Sequence, residues 1–526
     1  MTFMTIYSII GGAFFIVTGL WITLSRKKDV SQAGDLERGT PWSMLLGVCL
    51  FKFSLVILLL TVGFTTIWAD DPTRWIISYK WSQHPFFSQP DQVWLPLCFY
   101  LYGLSMKIIP DLLLATRTMS LIISLASLFG MYVFGSTLTG RRYIGVLSAL
   151  ILATIPMHTW ISVMTMSDVL YLVFEGLAPG FFLLYVWNIN RDNLKRAKLA
   201  LLGMLFSVIC LTATRYEGWM LGSVIGLVFW LHWFISRVYC KKVGWGWFVV
   251  VSVGMALFPM LWMGRSWKVL GSPLGFLSTY DHDAVAGSYM SNAIGDKLMR
   301  YPKSLYLYFG KLVPLGLAGM IWSLFQRKKS PVLFIGVWVV ILYLGLLEIS
   351  VLIGGTAVAL RRCTMAISFL FIPFSLLPLW YYGERKDIFP GWLRAGALVL
   401  IVPIFLLVIG GNIRETFQWR RYGWSGEGTA LAKYLQTEMR FGDDLDIWEK
   451  HKKIIISTPE TNSPSHRLLR KMCAEPERLF IMRSGKIPPH WLKDKSLLII
   501  IHKDELEDPR WEKFKTFGDY TFYRHK

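Results

Sequence analysis

Long apolar runs are the feature that most constrains the fold of this chain. About a dozen segments of roughly 17–25 residues are rich in Leu, Ile, Val, Phe and Trp, and each is long enough to cross a bilayer as a helix. Of the 526 residues, 54% are hydrophobic and 15% are aromatic, whereas soluble domains are roughly 45–50% apolar. The sequence therefore predicts an all-α polytopic membrane protein with about 12 transmembrane helices.

The predicted spans are separated by polar connections. They are 5–25, 43–67, 112–138, 143–160, 169–187, 199–214, 217–236, 245–263, 309–325, 331–350, 363–382 and 392–411. The apolar segment 93–109 is short and follows a loop. It is predicted to be an interfacial helix, because a further span there would invert the order of the later connections.

Basic residues occur in every second connection. The clusters are Arg26 to Arg38, Arg141 with Arg142, Arg191 to Lys198, Arg237 to Lys242, Arg327 to Lys329, and Arg385 with Lys386. Cytoplasmic loops collect Lys and Arg, so these connections are predicted to be cytoplasmic and the others extracytoplasmic. The net charge of +21 is carried in such short clusters and in no long basic face, so no nucleic-acid partner is expected.

Three regions follow from this pattern. Residues 1–42 form an extra N-terminal span, retained with its amino end outside, and a cytoplasmic loop, while 43–411 form the main transmembrane domain with outer loops 68–111 and 264–308. In 412–526 the run TALAKYLQTEMR has helical spacing, whereas KIIIST, LFIM, LLIIIH and YTFYR resemble strands. The sequence predicts a small extracytoplasmic α/β domain there, on a protein of the plasma or inner membrane. The 6 cysteines are scattered and have neither disulfide nor metal-ligand spacing.

The stretch IWADDPTRWIIS places the adjacent carboxylates Asp70 and Asp71 at the outer end of a span. One interpretation is a helix cap or a solvated helix end. The other is a functional site, because adjacent like charges raise each other's proton affinity, and such arrangements are enriched at active sites. The nearby Trp68, Trp75 and Trp81 are expected to anchor the pair at headgroup depth.

Arginines at other outer ends allow two interpretations as well. Arg215 lies beside Tyr216 and Glu217 in TRYEGWM, and Arg361 with Arg362 follows GGTAVAL. These side chains either extend to the lipid headgroups or bind a phosphate, whose geometry matches a guanidinium.

Loop 264–308 contains the sequence DHD at Asp281 to Asp283. Together with Asp70 or Asp168 it offers ligands for a divalent metal ion. A solvated, flexible loop is the favoured interpretation, because three consecutive polar residues cannot all face one point. His84 and His158 are predicted to face outward as well. No metal or other cofactor is assigned from the sequence.

Several motifs occur in a fixed order. They are DDPTRW, VWLPLCFYLYG, ATRTMSLIISLASLFGMYVFGSTLTGRRYIG, ALILATIPMHTWISVMTMSD and TATRYEGWML. In this order, over roughly 43–411, the chain resembles polyprenyl-phosphate-sugar-dependent glycosyltransferases of the GT-C fold. It is most similar to the family that contains protein O-mannosyltransferases and the lipid A aminoarabinose transferase (glycosyltransferase family 39).

The resemblance implies roles for individual residues. Asp70 takes the place of the family's catalytic Asp, Asp71 stands where Glu is commoner, and Asp168 corresponds to a second catalytic acid. The donor phosphate is then expected at Arg74, Arg215 and one of Arg361 and Arg362. The substrate pocket is expected to include Trp75, His84, Tyr216 and Glu217.

The expected function is transfer of a hexose or pentose from a polyprenyl phosphate to an extracytoplasmic glycan, lipid or protein. Such transfer needs a base for the acceptor proton and cations for the departing phosphate. Without a covalent intermediate, a single attack on the anomeric carbon predicts inversion of its configuration. The alternatives are a lipid or glycan flippase, with Glu175 and Glu348 as its intramembrane ionisable groups, and an oligosaccharide ligase of the same fold.

Overall fold

The computed structural model describes most of the chain from Trp42 onward, in ranges separated by gaps. The described residues are 42–62, 64, 70–88, 94–240, 243–276, 294–310, 312–326, 330–352, 365–378, 391–418, 453–458, 479–483, 497–502, 506, 508–517 and 520–526. The side chain of Asp70 is outside this set, although its backbone begins a helix.

Sixteen helices occur within the described ranges. They are α1 (Trp42–Thr61), α2 (Asp70–Gln83), α3 (Leu97–Ile108), α4 (Leu112–Thr139), α5 (Arg142–Thr154), α6 (Pro156–Ile161), α7 (Ser167–Ile189), α8 (Leu194–Thr212), α9 (Glu217–Cys240), α10 (Trp245–Leu270), α11 (Ile294–Leu298), α12 (Arg300–Phe309), α13 (Leu312–Leu324), α14 (Pro331–Leu352), α15 (Met365–Ser375) and α16 (Gly391–Gln418).

Six segments in the described part are long and apolar enough to cross a membrane. They are Trp42–Thr61, Leu112–Thr139, Ser167–Ile189, Glu217–Ile235, Trp245–Leu270 and Pro331–Ser350. The polytopic helical fold class is thereby confirmed. The predicted span 143–160 is interrupted at Ile155, because Pro156 has no N–H for helical hydrogen bonding and starts the separate helix α6.

Helix α3 matches the predicted interfacial segment 93–109. Its 12 residues rise about 18 Å, well short of the roughly 30 Å hydrocarbon core. Its first residue is tied to the bundle, since Leu97 N donates to the carbonyl of Ala213 at 3.2 Å. The loop that contains α3 thus returns to the turn between α8 and α9.

Local capping fixes both ends of α4. At its start, the Asp111 side chain accepts a hydrogen bond from Leu114 N at 2.8 Å, satisfying one of the helix's free N–H groups. At its end, Gly140 has φ 69°, a left-handed conformation that Gly adopts without steric penalty. These caps set the 28-residue length of the helix.

Helices α4 and α7 cross at a contact between two glycines. A Cβ atom built on Gly176 would lie 2.5 Å from the backbone carbon of Gly130, and one built on Gly130 would lie 2.6 Å from the carbonyl oxygen of Val173. Both distances are too short for any side chain. The two backbones therefore touch directly, as small residues permit in membrane helices.

The C-terminal region contains a five-stranded mixed sheet. Its strands are β1 (Lys453–Thr458), β2 (Leu479–Arg483), β3 (Leu497–His502), β4 (Trp511–Phe517) and β5 (Tyr520–His525), in the order β2-β1-β3-β5-β4. Strand β1 runs parallel to β2 and β3, whereas β5 is antiparallel to β3 and β4. The predicted strands are confirmed, and β4, whose sequence WEKFKTF alternates, was missed.

Several sequence predictions lie outside the described residues. They are the first span 5–25, Arg361 and Arg362, the DHD sequence at 281–283 and the helix at 429–440. The three-region division of the chain stays a prediction.

Replacing Gly176 by Ala is expected to destabilise the bundle, because its Cβ would press on the Gly130 backbone and force α4 and α7 apart. Overpacking of this kind costs about 1–3 kcal/mol. The matched control is Gly264→Ala in α10, where nothing lies within 4 Å of the new methyl group. Thermal unfolding in detergent should give a lower Tm for Gly176→Ala and an unchanged or higher Tm for Gly264→Ala. Equal Tm values for the two variants would refute the glycine contact.

Candidate functional site

The first turn of α2 places two charged side chains on one face. Asp71 and Arg74 are three residues apart, so they project from the same side of the helix. Both are buried, at 1% and 4% exposure. A carboxylate near a helix N-terminus is favoured by the helix dipole, and Pro72 is tolerated there because first-turn N–H groups have no helical acceptor. The local sequence thus favours a helix that begins here, and that helix places Asp71 and Arg74 on its buried face.

Both side chains contact the residues that lead into α7. Thr165 N donates a hydrogen bond to Asp71 Oδ1 at 2.7 Å, and the Arg74 guanidinium donates to the hydroxyl of Ser167. The ring of Trp94 lies against the same guanidinium, with Arg74 Cζ 5.2 Å from its centroid. Helix α2 and the α6–α7 turn are therefore joined at the carboxylate.

The α6–α7 turn is itself anchored by two hydroxyl groups. Ser120 Oγ donates to the carbonyl of Met164 at 2.6 Å, and Tyr102 OH contacts the same carbonyl at 3.2 Å. Tyr102 belongs to α3 and Ser120 to α4, and both are buried. Two further helices thus fix the turn that donates to Asp71.

Arg215 binds two carboxylates. Its Nη1 lies 2.6 Å from Asp168 Oδ1, its Nη2 lies 2.5 Å from Glu217 Oε1, and its Nε donates to Glu217 Oε2 at 3.1 Å. The pair with Glu217 is bidentate, which is the strong geometry for a guanidinium and a carboxylate. The side chain of Asp168 is only 3% exposed, so the ion pair crosses from α7 to the α8–α9 turn inside the protein.

Arg117 is a site residue that the sequence reasoning missed. It lies in the second turn of α4 and interacts electrostatically with the carboxylates of Asp71 and Asp111. Within the described residues its guanidinium makes no hydrogen bond. The available signal was an Arg in the otherwise uncharged run ATRTMSLII, at the outer end of a span.

Tyr216 belongs to an aromatic cluster next to Arg215. Its ring stacks on Phe276 with centroids 5.0 Å apart and an angle of 4°, and its hydroxyl accepts a hydrogen bond from Trp262 Nε1 at 3.1 Å. Trp219 packs edge-on against Tyr216 and Phe276. This cluster packs the Tyr216 ring against Trp262 of α10 and against Phe276.

Two expected placements were wrong. Trp75 is not an interfacial anchor: it is fully buried with Met106 and Ala115 and stacks on Tyr79, because α2 packs this face against α3 and α4. His158 is not on the outer surface; it is buried, and its Nε2 lies 2.8 Å from Ser127 Oγ. Helix α6 packs this side chain against α4, which carries Ser127.

The structure brings together Asp71, Arg74, Asp168, Arg215 and Glu217 around the segment 165–168, and Arg117 interacts electrostatically with Asp71. These six residues are called the Asp71 site below. His84 lies apart from them and is exposed just after the end of α2. Among the described residues, no group of three His, Cys, Asp or Glu side chains is placed to hold a metal ion.

A further carboxyl group lies deeper on α7. Glu175 is fully buried, and within the described structure neither of its oxygens has a hydrogen-bond partner. It interacts electrostatically with Arg215 and Glu217. Next to it, the hydroxyls of Tyr171 and Tyr343 share a 2.8 Å hydrogen bond. Polar groups therefore continue from Asp168 into the membrane-spanning part of α7.

This arrangement combines the elements of a group-transfer site. A buried carboxylate of fixed orientation can accept a proton, and guanidinium groups nearby can stabilise the negative charge on a leaving phosphate. The surrounding bundle excludes water and strengthens these charge interactions.

The fold is similar to that of two solved structures. ArnT from Cupriavidus metallidurans bound to undecaprenyl phosphate matches with a TM-score of 0.55 and 11% identity, over 92% of this chain and 98% of that chain. The same protein in the apo state matches with a TM-score of 0.51 and 12% identity, over 91% and 98%. This chain therefore has the GT-C fold, as its motif order predicts. No protein-family sequence model matches the chain, and no curated protein matches it.

Replacing Arg215 by Gln is expected to destabilise the protein, because Asp168 and Glu217 would lose the guanidinium between them. Removing one partner of a buried ion pair costs about 3–5 kcal/mol. The double variant Arg215→Gln/Glu217→Gln should recover part of this loss, since one of the two carboxylates is then neutral. Thermal unfolding of the wild type, both single variants and the double variant measures the coupling; strictly additive changes in Tm would show that the pair is not coupled.

Proposed function

We propose that this chain is an integral membrane glycosyltransferase that moves a sugar, with inversion, from a polyprenyl-phosphate donor to an acceptor outside the cytoplasm. The observation that carries the proposal is the Asp71 site, in which buried carboxylates and guanidiniums meet at one end of a GT-C bundle. The similar ArnT structure was solved with undecaprenyl phosphate, which supports a donor of that class.

Asp71 is the carboxylate best placed to act as the base. The resemblance ranks Asp70 first, but the helix that begins at Asp70 directs Asp71 into the bundle, where Thr165 N fixes one of its oxygens. A general base works when its oxygen is held within hydrogen-bonding distance of the proton that it removes. Asp70 remains a candidate for binding the acceptor.

Arg74 and Arg117 are proposed to bind the donor phosphate. Arg74 is on the same face of α2 as Asp71 and donates to Ser167, and Arg117 interacts electrostatically with the Asp71 carboxylate from α4. Arg215 is already held by Asp168 and Glu217, so a phosphate there would compete with two carboxylates. We therefore assign Arg215 to positioning Asp168, whereas Arg361 or Arg362 remains a candidate for a further phosphate contact.

The proposed reaction is a single displacement. The hydroxyl or amine of the acceptor attacks the anomeric carbon, the bond between that carbon and the phosphate oxygen breaks, and the acceptor proton passes to the Asp71 carboxylate. The polyprenyl phosphate leaves with the bonding electrons, and the guanidiniums stabilise its charge. Tyr216 and Glu217, beside Asp168, are proposed to contact the substrate.

The location of the site is proposed to be extracytoplasmic. The connections with basic clusters, 140–142 and 190–198, lie at the opposite end of α4 and α7 from Asp71. Basic connections remain in the cytoplasm during insertion.

Thiol labelling of a cysteine introduced at the exposed position His84 would report on which side of the membrane the Asp71 site lies.

The pair of variants Asp71→Asn and Asp70→Asn tests the proposed base. We expect Asp71→Asn to lower the rate of transfer from a polyprenyl-phosphate sugar by about 10²–10⁴-fold, because the amide cannot accept the proton. The neighbouring Asp70→Asn makes the same chemical change one residue away and should lower the rate much less, because Asp70 is proposed at most to bind the acceptor. The assay uses purified full-length protein, with Tm as the folding control.

The outcomes of this assay separate the alternatives. Full activity in Asp71→Asn would contradict the proposed base, and a loss confined to Asp70→Asn would restore the assignment made from the resemblance. If the protein instead moved intact labelled lipid between leaflets without removing its headgroup, the flippase alternative would replace the proposal.

The stereochemistry of the product provides an independent prediction. One displacement without a covalent intermediate inverts the configuration at the anomeric carbon, whereas two displacements retain it. We therefore expect the anomer opposite to that of the donor, measured by NMR of the product from a donor of known configuration. A retained configuration would require a nucleophilic carboxylate and would rule out the single step.

A further inference from the structure

A cavity of about 410 Å³ lies between the end of α7 and the start of α8. Its walls include Phe181, Leu184, Arg191, Arg196, Leu199 and Ala200. All of these residues belong to one helical hairpin, α7 and α8 with the connection between them. The cavity therefore does not depend on the Asp71 site.

The cavity and the Asp71 site lie at opposite ends of α7. Asp168 is in the first turn of the helix, and Asn188, which lines the cavity, is in the last. Twenty residues of helix separate the two positions by about 30 Å, which is the thickness of the hydrocarbon core. The cavity thus lies at the far membrane surface, where the basic connections are.

Two guanidiniums stand at the mouth of the cavity. Arg191 and Arg196 are exposed lining residues, and Arg191 Cζ lies 4.5 Å from the centroid of the Trp187 ring. The first turn of α8 is fixed because the Asn193 side chain accepts a hydrogen bond from Arg196 N at 3.2 Å. Asp192 is the acid nearest in sequence, so positive charge predominates at this mouth.

The remaining walls are apolar. Phe181 and Leu184 come from α7, and Leu199 and Ala200 come from α8. Leu199 is 69% exposed and Ala200 only 2%, so the apolar wall extends from the bundle to the lipid-facing surface. A ligand in this cavity would contact charge at one end and hydrocarbon at the other.

We propose that this cavity binds an anionic phospholipid of the leaflet on that side. The guanidiniums would bind its phosphate, and the apolar walls would hold the first part of one acyl chain. Basic pockets between transmembrane helices are suited to anionic headgroups. The volume lies in the lower part of the roughly 300–1,000 Å³ range of ligand sites, which fits a headgroup with part of a chain and leaves the rest in the bilayer.

The role of basic residues in orienting the protein during membrane insertion explains the positive charge of this connection, but it does not explain the cavity. Lys and Arg near span ends direct insertion wherever they lie in a connection, and Lys195 and Lys198 meet that need without lining the cavity. A soluble anion would satisfy the guanidiniums but would leave the apolar wall empty. A lipid phosphate satisfies both parts.

The test measures retention of phosphatidylglycerol, against phosphatidylcholine, by full-length protein in mixed micelles, using native mass spectrometry and the lipid-induced rise in Tm. The variant Arg191→Gln/Arg196→Gln is expected to bind phosphatidylglycerol at least about tenfold more weakly. The control Lys195→Gln/Lys198→Gln removes the same charge from the same helix end and should bind like the wild type. Ala200→Leu fills the cavity without changing charge and should also weaken binding.

Each outcome bears on the proposal. Equal losses in the two double variants would mean attraction to a diffuse positive surface and would overturn it, as would unchanged binding in Arg191→Gln/Arg196→Gln. Inorganic phosphate that raised the Tm as much as phosphatidylglycerol did would also overturn it. Loss in the arginine variant and in Ala200→Leu, with the lysine control intact, would support a lipid site.

Discussion

The contact between Gly130 and Gly176 determines how the rest of the bundle can assemble. It lets the backbones of α4 and α7 touch, and dispersion forces then hold helices that hydrophobic burial alone cannot drive together in lipid. Because the two helices run in the same direction, the crossing brings Arg117 of α4 and Asp168 of α7 to one end. The ends of the two helices are also close to each other: Gly140, directly after α4, lies so near Trp187 of α7 that a Cβ at Gly140 would touch the Trp187 ring.

Among the described side chains, the Asp71 site combines three guanidiniums with three carboxylates before any substrate binds. Two carboxylates hold Arg215, and a phosphate would have to displace one of them. Arg117, whose guanidinium makes no hydrogen bond within the described residues, would bind a phosphate without that cost.

Sequence reasoning predicted features that depend on short segments. The spans, the interfacial helix and four strands each follow from the apolar pattern of one run. It ranked Asp70 above Asp71 without knowing where α2 begins and which face packs inward. It gave Asp168 and Arg215 different roles and did not predict their ion pair, since only tertiary packing joins positions 47 residues apart. It also misplaced His158, which is buried against Ser127 of α4.

Glu175 shows how far the site extends along α7. Asp168, Tyr171 and Glu175 recur at intervals of three and four residues, so they form one polar face on an otherwise apolar helix. A buried carboxyl without a hydrogen-bond partner costs stability, and a packed apolar residue would avoid that cost. The carboxyl interacts electrostatically with Glu217, which repels its charged form, and with Arg215, which favours that form. Glu175 thus extends the polar face of α7 from Asp168 toward the middle of the bundle.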